Sequence, residues 1–196
     1  MPLTELRSRP DGGFPIACNG DDDYPVMVIG WSGGGPLLNI RAHIPPDAAG
    51  VAAALGVMEA IGEESRAFWG QAAPSKTAGE IIDQIDPGPG ASDRPPPPRG
   101  LPAIKLPQHM ASPKVPHRLG LLNYWSNAAA RLIGFPDPAR DGELLARARR
   151  TAGGWVVPIT DAPLDLDNPA HLDALLRVYE RFPAIGGRSP PRPGAR

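Results

Sequence analysis

An α+β fold, a single domain with a mixed, mainly antiparallel sheet packed against helices, is the class this sequence predicts, and three observations lead there. Two apolar, β-branched runs, Tyr24–Trp31 and Leu37–Ile44, follow one another with only a glycine-rich turn between them. Helical apolar spacing recurs in separate stretches, from Val51 to Phe68 and from Leu172 to Phe182. No strict strand-helix alternation joins these pieces, so a doubly wound parallel sheet is not expected.

Residues 1–13, rich in Arg, Pro, Asp and Gly, predict a poorly ordered start, and the domain is expected to run from 14 to 188. Tyr24–Trp31 reads as a strand. In Leu37–Ile44 the residues Leu38, Ile40, Ala42 and Ile44 share one face, and Ser32 to Pro36 are short enough to close an antiparallel hairpin. Pro45-Pro46-Asp47 then stops the second strand and caps the longest helix, Asp47 to Trp69, with Val51, Leu55, Met58, Ile61 and Phe68 on its apolar side. Gly50, Gly56 and Gly62 each cost that helix up to about 1 kcal/mol relative to alanine and are read as local compromises, not as a packing motif. Ser75 caps a shorter predicted helix that ends at Ile85.

From 86 to 100 the prolines, including Pro95 to Pro98, remove backbone donors and predict a polyproline linker over the surface. Leu101 to Leu106 is expected as an edge strand, because Pro102 forfeits a ladder bond. Leu119 to Tyr124 fits a strand or a helix start. Ser126 to Ile133 reads as a helix ended by Gly134 and Pro136, and Asp141 caps a short helix carrying Leu144, Leu145 and Ala148. Gly153-Gly154 breaks that helix and Trp155 to Thr160 forms a strand. The last helix has Asn168 at its N-cap, Pro169 at its first position and Leu172, Leu175, Leu176, Tyr179 and Phe182 on one face. Residues 189–196 are expected to be disordered.

A chain of 196 residues buries one substantial core. Its formal net charge of −1 gives no sustained basic field, so neither nucleic acid nor an anionic membrane is an expected partner. Cys18, the only cysteine, has no disulfide partner within the chain. No window approaches the ~18 apolar residues of a membrane span and no signal-peptide pattern opens the chain, so the expected location is cytoplasmic.

Candidate chemistry is sparse. Asp21-Asp22-Asp23 gathers carboxylates that suit a divalent cation, but it lacks the glycine and distal glutamate of a calcium loop and reads as a solvated turn. Asp161, Asp165 and Asp167 follow a strand, as metal-binding aspartates of nucleases do, while Asp167 also stands where a helix start favours negative charge. Of His43, His109, His117 and His171, no two have zinc-helix spacing, and no serine elbow or phosphate loop is present. Arg147, Arg149 and Arg150 near Trp155 have the residue types of a nucleic-acid contact, but three arginines in a chain of net negative charge read as a solvated helix end. Trp31, Trp69, Trp125 and Trp155 are core residues by default, with Trp125 the most ambiguous between core and interface anchor. No catalytic residue, metal site or cofactor is assigned.

Three C-terminal pieces, Gly120-Leu-Leu-Asn-Tyr-Trp-Ser126, Gly154-Trp-Val-Val-Pro-Ile-Thr160 and Asp167-Asn-Pro-Ala-His171, resemble the immunity protein 52 family of bacterial proteins that neutralise polymorphic toxins. The likeness covers about the last 80 residues and the preceding region only in outline. Members of that family usually begin with a further helical segment, so a truncated or misassigned start is expected. The resemblance implies a non-enzymatic α+β protein that occludes a cognate toxin, a nuclease domain being the expected target. A nuclease site is usually basic, so acidic side chains are expected to meet it. By residue type the expected contacts are Asp21, Asp22, Asp23, Asp161, Asp165 and Asp167, with Tyr24, Trp31 or Trp125 as anchors. The alternative reading is a divalent-metal-dependent hydrolase or nuclease using Asp161, Asp165 and Asp167.

Overall fold

A computed structural model describes residues 17–21, 24–31, 38–44, 48–86 and 96–188, with the side chains of 17–38, 48, 51 and 86 outside that description. The expectations for 1–13, for the 32–37 loop, for Asp22 and Asp23, for most of the proline-rich linker (87–95) and for 189–196 lie outside the described residues. The chain adopts an α+β fold, and its contacts divide it into two units, Met1–Val51 and Ala52–Arg196.

In the first unit, β1 (Ala17–Asp21), β2 (Tyr24–Trp31) and β3 (Leu38–Ala42) form an antiparallel meander. The expected hairpin is present, with Met27 opposite Ala42 and Trp31 opposite Leu38. Strand β1 pairs with β2 through a bulge between Asn19 and Gly20. Its sequence, ACNGD, carries no alternation that would announce a strand.

Helix α1 spans Ala48–Glu64 and stops five residues before the predicted end. The Ala67 amide donates to the Gly62 carbonyl and the Arg66 amide to that of Glu63, with Arg66 at φ 50°. This pair of bonds around a left-handed residue closes a helix even though arginine, not glycine, occupies the turn. Trp69 is thereby released into β4 (Trp69–Ala72).

The second unit is built on a four-stranded antiparallel sheet in the order β4, β7 (Leu122–Ser126), β9 (Gly154–Pro158) and β8 (Arg149–Arg150). Its register places Trp69 opposite Trp125, Trp125 opposite Trp155, and Trp155 opposite Arg150. One row of large side chains therefore crosses the sheet on a single face. A second, parallel pair joins β5 (Ile85–Asp86) to β6 (Ile104–Lys105), so the predicted edge strand 101–106 contracts to two residues and runs parallel.

Helix α2 (Ser75–Ile82) starts without a side-chain cap, because the Pro74 carbonyl receives the amides of both Thr77 and Ala78. Ser75 is thus not the cap. In α3 (Asn127–Ile133) the Ser126 hydroxyl accepts the Ala129 amide at 3.1 Å, and Gly134 at φ 77° ends the helix. Asp141 precedes α4 (Gly142–Arg147) but does not cap it, its carboxylate being engaged elsewhere. In α5 (Pro169–Arg181) the Asn168 side chain accepts the Ala170 amide at 3.0 Å, as the asparagine-proline pair predicts.

The core lies where the Trp125 side of this sheet meets α3 and α5. Trp125 is 0% exposed and meets Phe135 and Phe182 edge-on, at 5.1 and 5.4 Å between ring centres. Its expected role as a partner anchor gives way to a structural one, since no part of it reaches the surface. Gly62 also departs from expectation: a Cβ there would stand 2.7 Å from the Tyr124 ring, so α1 crosses that ring only because residue 62 has no side chain. Among the described residues, no helix is long and apolar enough to cross a membrane.

Candidate functional site

Two of the three clustered aspartates are bound up with cations from earlier in the chain. Lys76 Nζ, on α2, lies 2.7 Å from Asp167 Oδ2 and 3.5 Å from Asp165 Oδ1. Arg99 donates through Nη2 to Asp167 Oδ1 at 2.7 Å, through Nη1 to the Leu166 carbonyl at 3.1 Å, and through Nε to Glu80. Lys76 first and Arg99 second hold the Asp167 carboxyl below its ordinary range. The arginine that closes the proline run is therefore a clasp between α2 and the start of α5. Asp161 stands apart, 83% exposed, with Arg147 Nε at 3.9 Å. Among the described residues, no three His, Cys, Asp or Glu side chains gather as a metal site.

The basic helix end is likewise dispersed. Arg149 pairs with Glu59, while Arg150 donates to Asn127 Oδ1 and to the Gly154 carbonyl and lies 4.9 Å above the Trp155 ring. Arginine and indole stack on each other here, which leaves neither free to stack on a base. Backbone positions place Asp21, Tyr24 and Trp31 in β1 and β2, their side chains falling outside the described residues with Asp22 and Asp23. His117 is buried with Nε2 2.7 Å from the Lys105 carbonyl, and burial pushes its pKa down.

Glu63, which sequence reading passed over, is the most heavily bonded carboxylate among the described residues. It accepts the Thr151 hydroxyl at 2.6 Å, the Tyr124 hydroxyl at 3.0 Å and the Gly153 amide at 2.9 Å. The only signal for it was Gly153-Gly154, read as a helix breaker. A Cβ at 153 would come within 3.0 Å of the Glu63 carboxylate, and one at 154 within 2.2 Å of the Trp125 carbonyl. The Thr151 hydroxyl, outweighing burial, keeps the Glu63 pKa below the ordinary 4.5, and burial with the Glu63 bond pushes Tyr124 up to about 12.

The sign of the pH dependence follows. A depressed carboxyl contributes stability present above pH 4.5 and lost as pH falls through the folded pKa, and a raised phenol contributes stability present below 10.0 and lost as pH climbs toward about 12. Glu63→Gln is expected to cost about 2 kcal/mol near neutrality, the scale of hydrogen bonds to a charged group. Urea midpoints across pH check this: the gap between wild type and variant narrows on the acid side, and a gap constant with pH refutes it.

Among the described residues, a groove between α4 and α5, floored by Ile159 and Thr160 just beyond β9, is left uncommitted. Two adjoining hollows of about 240 and 430 Å³ share Glu143, Arg147, Ile159, Ala174 and Arg177 as walls. The first adds Asp161 and His171, and the second adds Arg140 and the Asp141–Arg181 ion pair. His171 Nδ1 accepts the Asp165 amide at 3.2 Å, which leaves the proton on Nε2. Position 174 is alanine, and its small side chain keeps the groove open. Of the residues singled out from sequence the groove contains Asp161, His171 and Arg147; Glu143 and Arg177 lie on helix faces that composition alone reads as solvated.

Residues 4–190 match the family described as Domain of unknown function (DUF5953). No curated protein and no solved structure matches the chain.

Proposed function

Since the chain belongs to the DUF5953 family, we propose within it a toxin-neutralising binding protein, acting by occluding its target and not by a reaction of its own. The observation that carries this reading is the fate of the aspartates. Asp165 and Asp167 are engaged by Lys76 and Arg99, and Asp161 turns toward Arg147, so the residues that best resembled a catalytic set serve as clasps and rim. Partner-binding proteins need a rigid frame and an uncommitted surface. The sheet and the α4–α5 groove supply these, and the likeness of the C-terminal pieces to the immunity protein 52 family gives the class of partner. Asp161 remains the exposed carboxylate available to a basic target.

The reading expects the gene to stand beside that of a large secreted toxin. Co-expression should rescue cells from the toxin's C-terminal domain, and the purified pair should form a stoichiometric complex. No complex at micromolar concentration, together with no rescue, overturns it. Calorimetric binding of magnesium or manganese that Asp165→Asn abolishes would favour the metal-dependent hydrolase instead.

A further inference from the structure

The groove between α4 and α5 holds charged groups that the fold itself does not use. Arg147 is 29% exposed, yet its Nε is buried with no hydrogen-bond partner, the nearest carboxylate oxygen, on Asp161, lying beyond bonding distance at 3.9 Å. An unpartnered buried donor is costly, and native folds satisfy nearly all of them. Arg177, on the facing helix, lines both hollows and makes no ion pair or side-chain hydrogen bond among the described residues. Arg181 is consumed by Asp141. That leaves Arg140, Arg147 and Arg177 against Glu143 and Asp161, a positive excess, with the Nε2–H of His171 at the same end as a neutral donor.

A guanidinium fork matches a carboxylate or phosphate bidentately. The walls are too long for one small ion: they follow α5 from His171 to Arg181 and α4 from Gly142 to Arg147. Glu143 and Asp161, interspersed among the arginines, also repel a dense polyanion while leaving room for spaced carboxylates.

We propose that this groove binds an acidic segment of a protein chain, with Arg147 and Arg177 receiving its carboxylates. This rests on the toxin-binding reading for the identity of the partner, but not for the binding itself. The sequence expectation placed acidic groups on this protein and basic ones on its target; the groove reverses the polarity locally, and Asp161 beside it keeps the other sign.

The test uses the whole protein and a fluorescent hexapeptide alternating glutamate with glycine, read by polarisation. Binding is expected, at least about tenfold weaker when the glutamates are replaced by glutamine, and lost to a similar degree in Arg177→Gln and in Arg147→Gln with Arg177→Gln. Arg131→Gln, an exposed arginine on α3, should leave it unchanged. Arg177→Gln alone alters an exposed side chain, so it reports even if the double variant folds poorly. Equal binding of the glutamine peptide, equal loss in Arg131→Gln, or binding of inorganic phosphate alone with no peptide binding overturns the proposal. If peptide binding is seen but no toxin complex forms, the groove stands and the toxin reading fails; a toxin complex untouched by both groove variants gives the reverse.

Discussion

Trp125→Ala is expected to lower stability by about 3–5 kcal/mol, the range for removing a large aromatic side chain from a core that cannot collapse around the space. Two facts place it at that end. The side chain is 0% exposed, and its neighbours Phe135 and Phe182 also lie edge-on to each other, 6.0 Å apart, so its loss removes the shared member of a three-ring cluster. Strand β7 is also held on both sides, by β4 and β9, which limits how far the backbone can move to fill the void. Total stabilities of domains are about 5–15 kcal/mol, so a marginal protein would not survive the change. The control is Trp125→Phe. Because the indole Nε1 has no hydrogen-bond partner, phenylalanine sacrifices volume but no bond, and should cost well under half as much. Urea denaturation of the three proteins checks both values; a loss under about 1 kcal/mol for alanine would contradict the packing.

Asp141→Ala is the second large effect. Its carboxylate is 0% exposed and receives Arg181 Nε at 2.7 Å, Arg181 Nη2 at 3.0 Å and the Asp137 amide at 2.7 Å. Removing one member of a buried pair strands the other, at about 3–5 kcal/mol. Arg181 is 17% exposed and also donates to the Gly134 carbonyl, so it would keep one partner and the lower part of that range is expected. Replacing both residues, Asp141→Ala with Arg181→Met, should recover part of the loss, because no uncompensated charge then remains. A double-mutant cycle measures the coupling, and additive losses would mean that the pair contributes nothing beyond its two separate environments.

The parts of the fold legible in sequence are those whose cause is local. Ser126 and Asn168 start helices through bonds spanning two or three residues, Pro169 suits its first-turn position through its fixed φ, and Gly134 ends a helix through its own φ. The hairpin of β2 and β3 announces itself by composition. What escaped depends on distant neighbours. The end of α1 required a left-handed arginine, a choice that propensity does not predict. Gly62 looked like a defect because Tyr124, which needs the space, is 62 residues away. Asp141 looked like a helix cap until Arg181 claimed it. The aspartates 161, 165 and 167 looked like one cluster because they are close in sequence, whereas the fold turns Asp161 toward Arg147 and gives Asp165 and Asp167 to Lys76, with Arg99 also on Asp167. Charge in sequence identifies candidates, but the partner decides whether a charge is available to anything outside the molecule.

The clasp made by Lys76 and Arg99 bears on how this protein divides. The likeness of the last 80 residues suggests a module that begins near Leu119, yet excising it there would strip β7 of its β4 neighbour and leave a row of unpaired amides and carbonyls along an open flank. The same cut would remove Glu63 from Tyr124 and both cations from Asp167. The stretch that carries the proposed likeness is therefore shorter than the stretch that must cooperate to stand, and any truncation that keeps this sheet whole has to start ahead of α1.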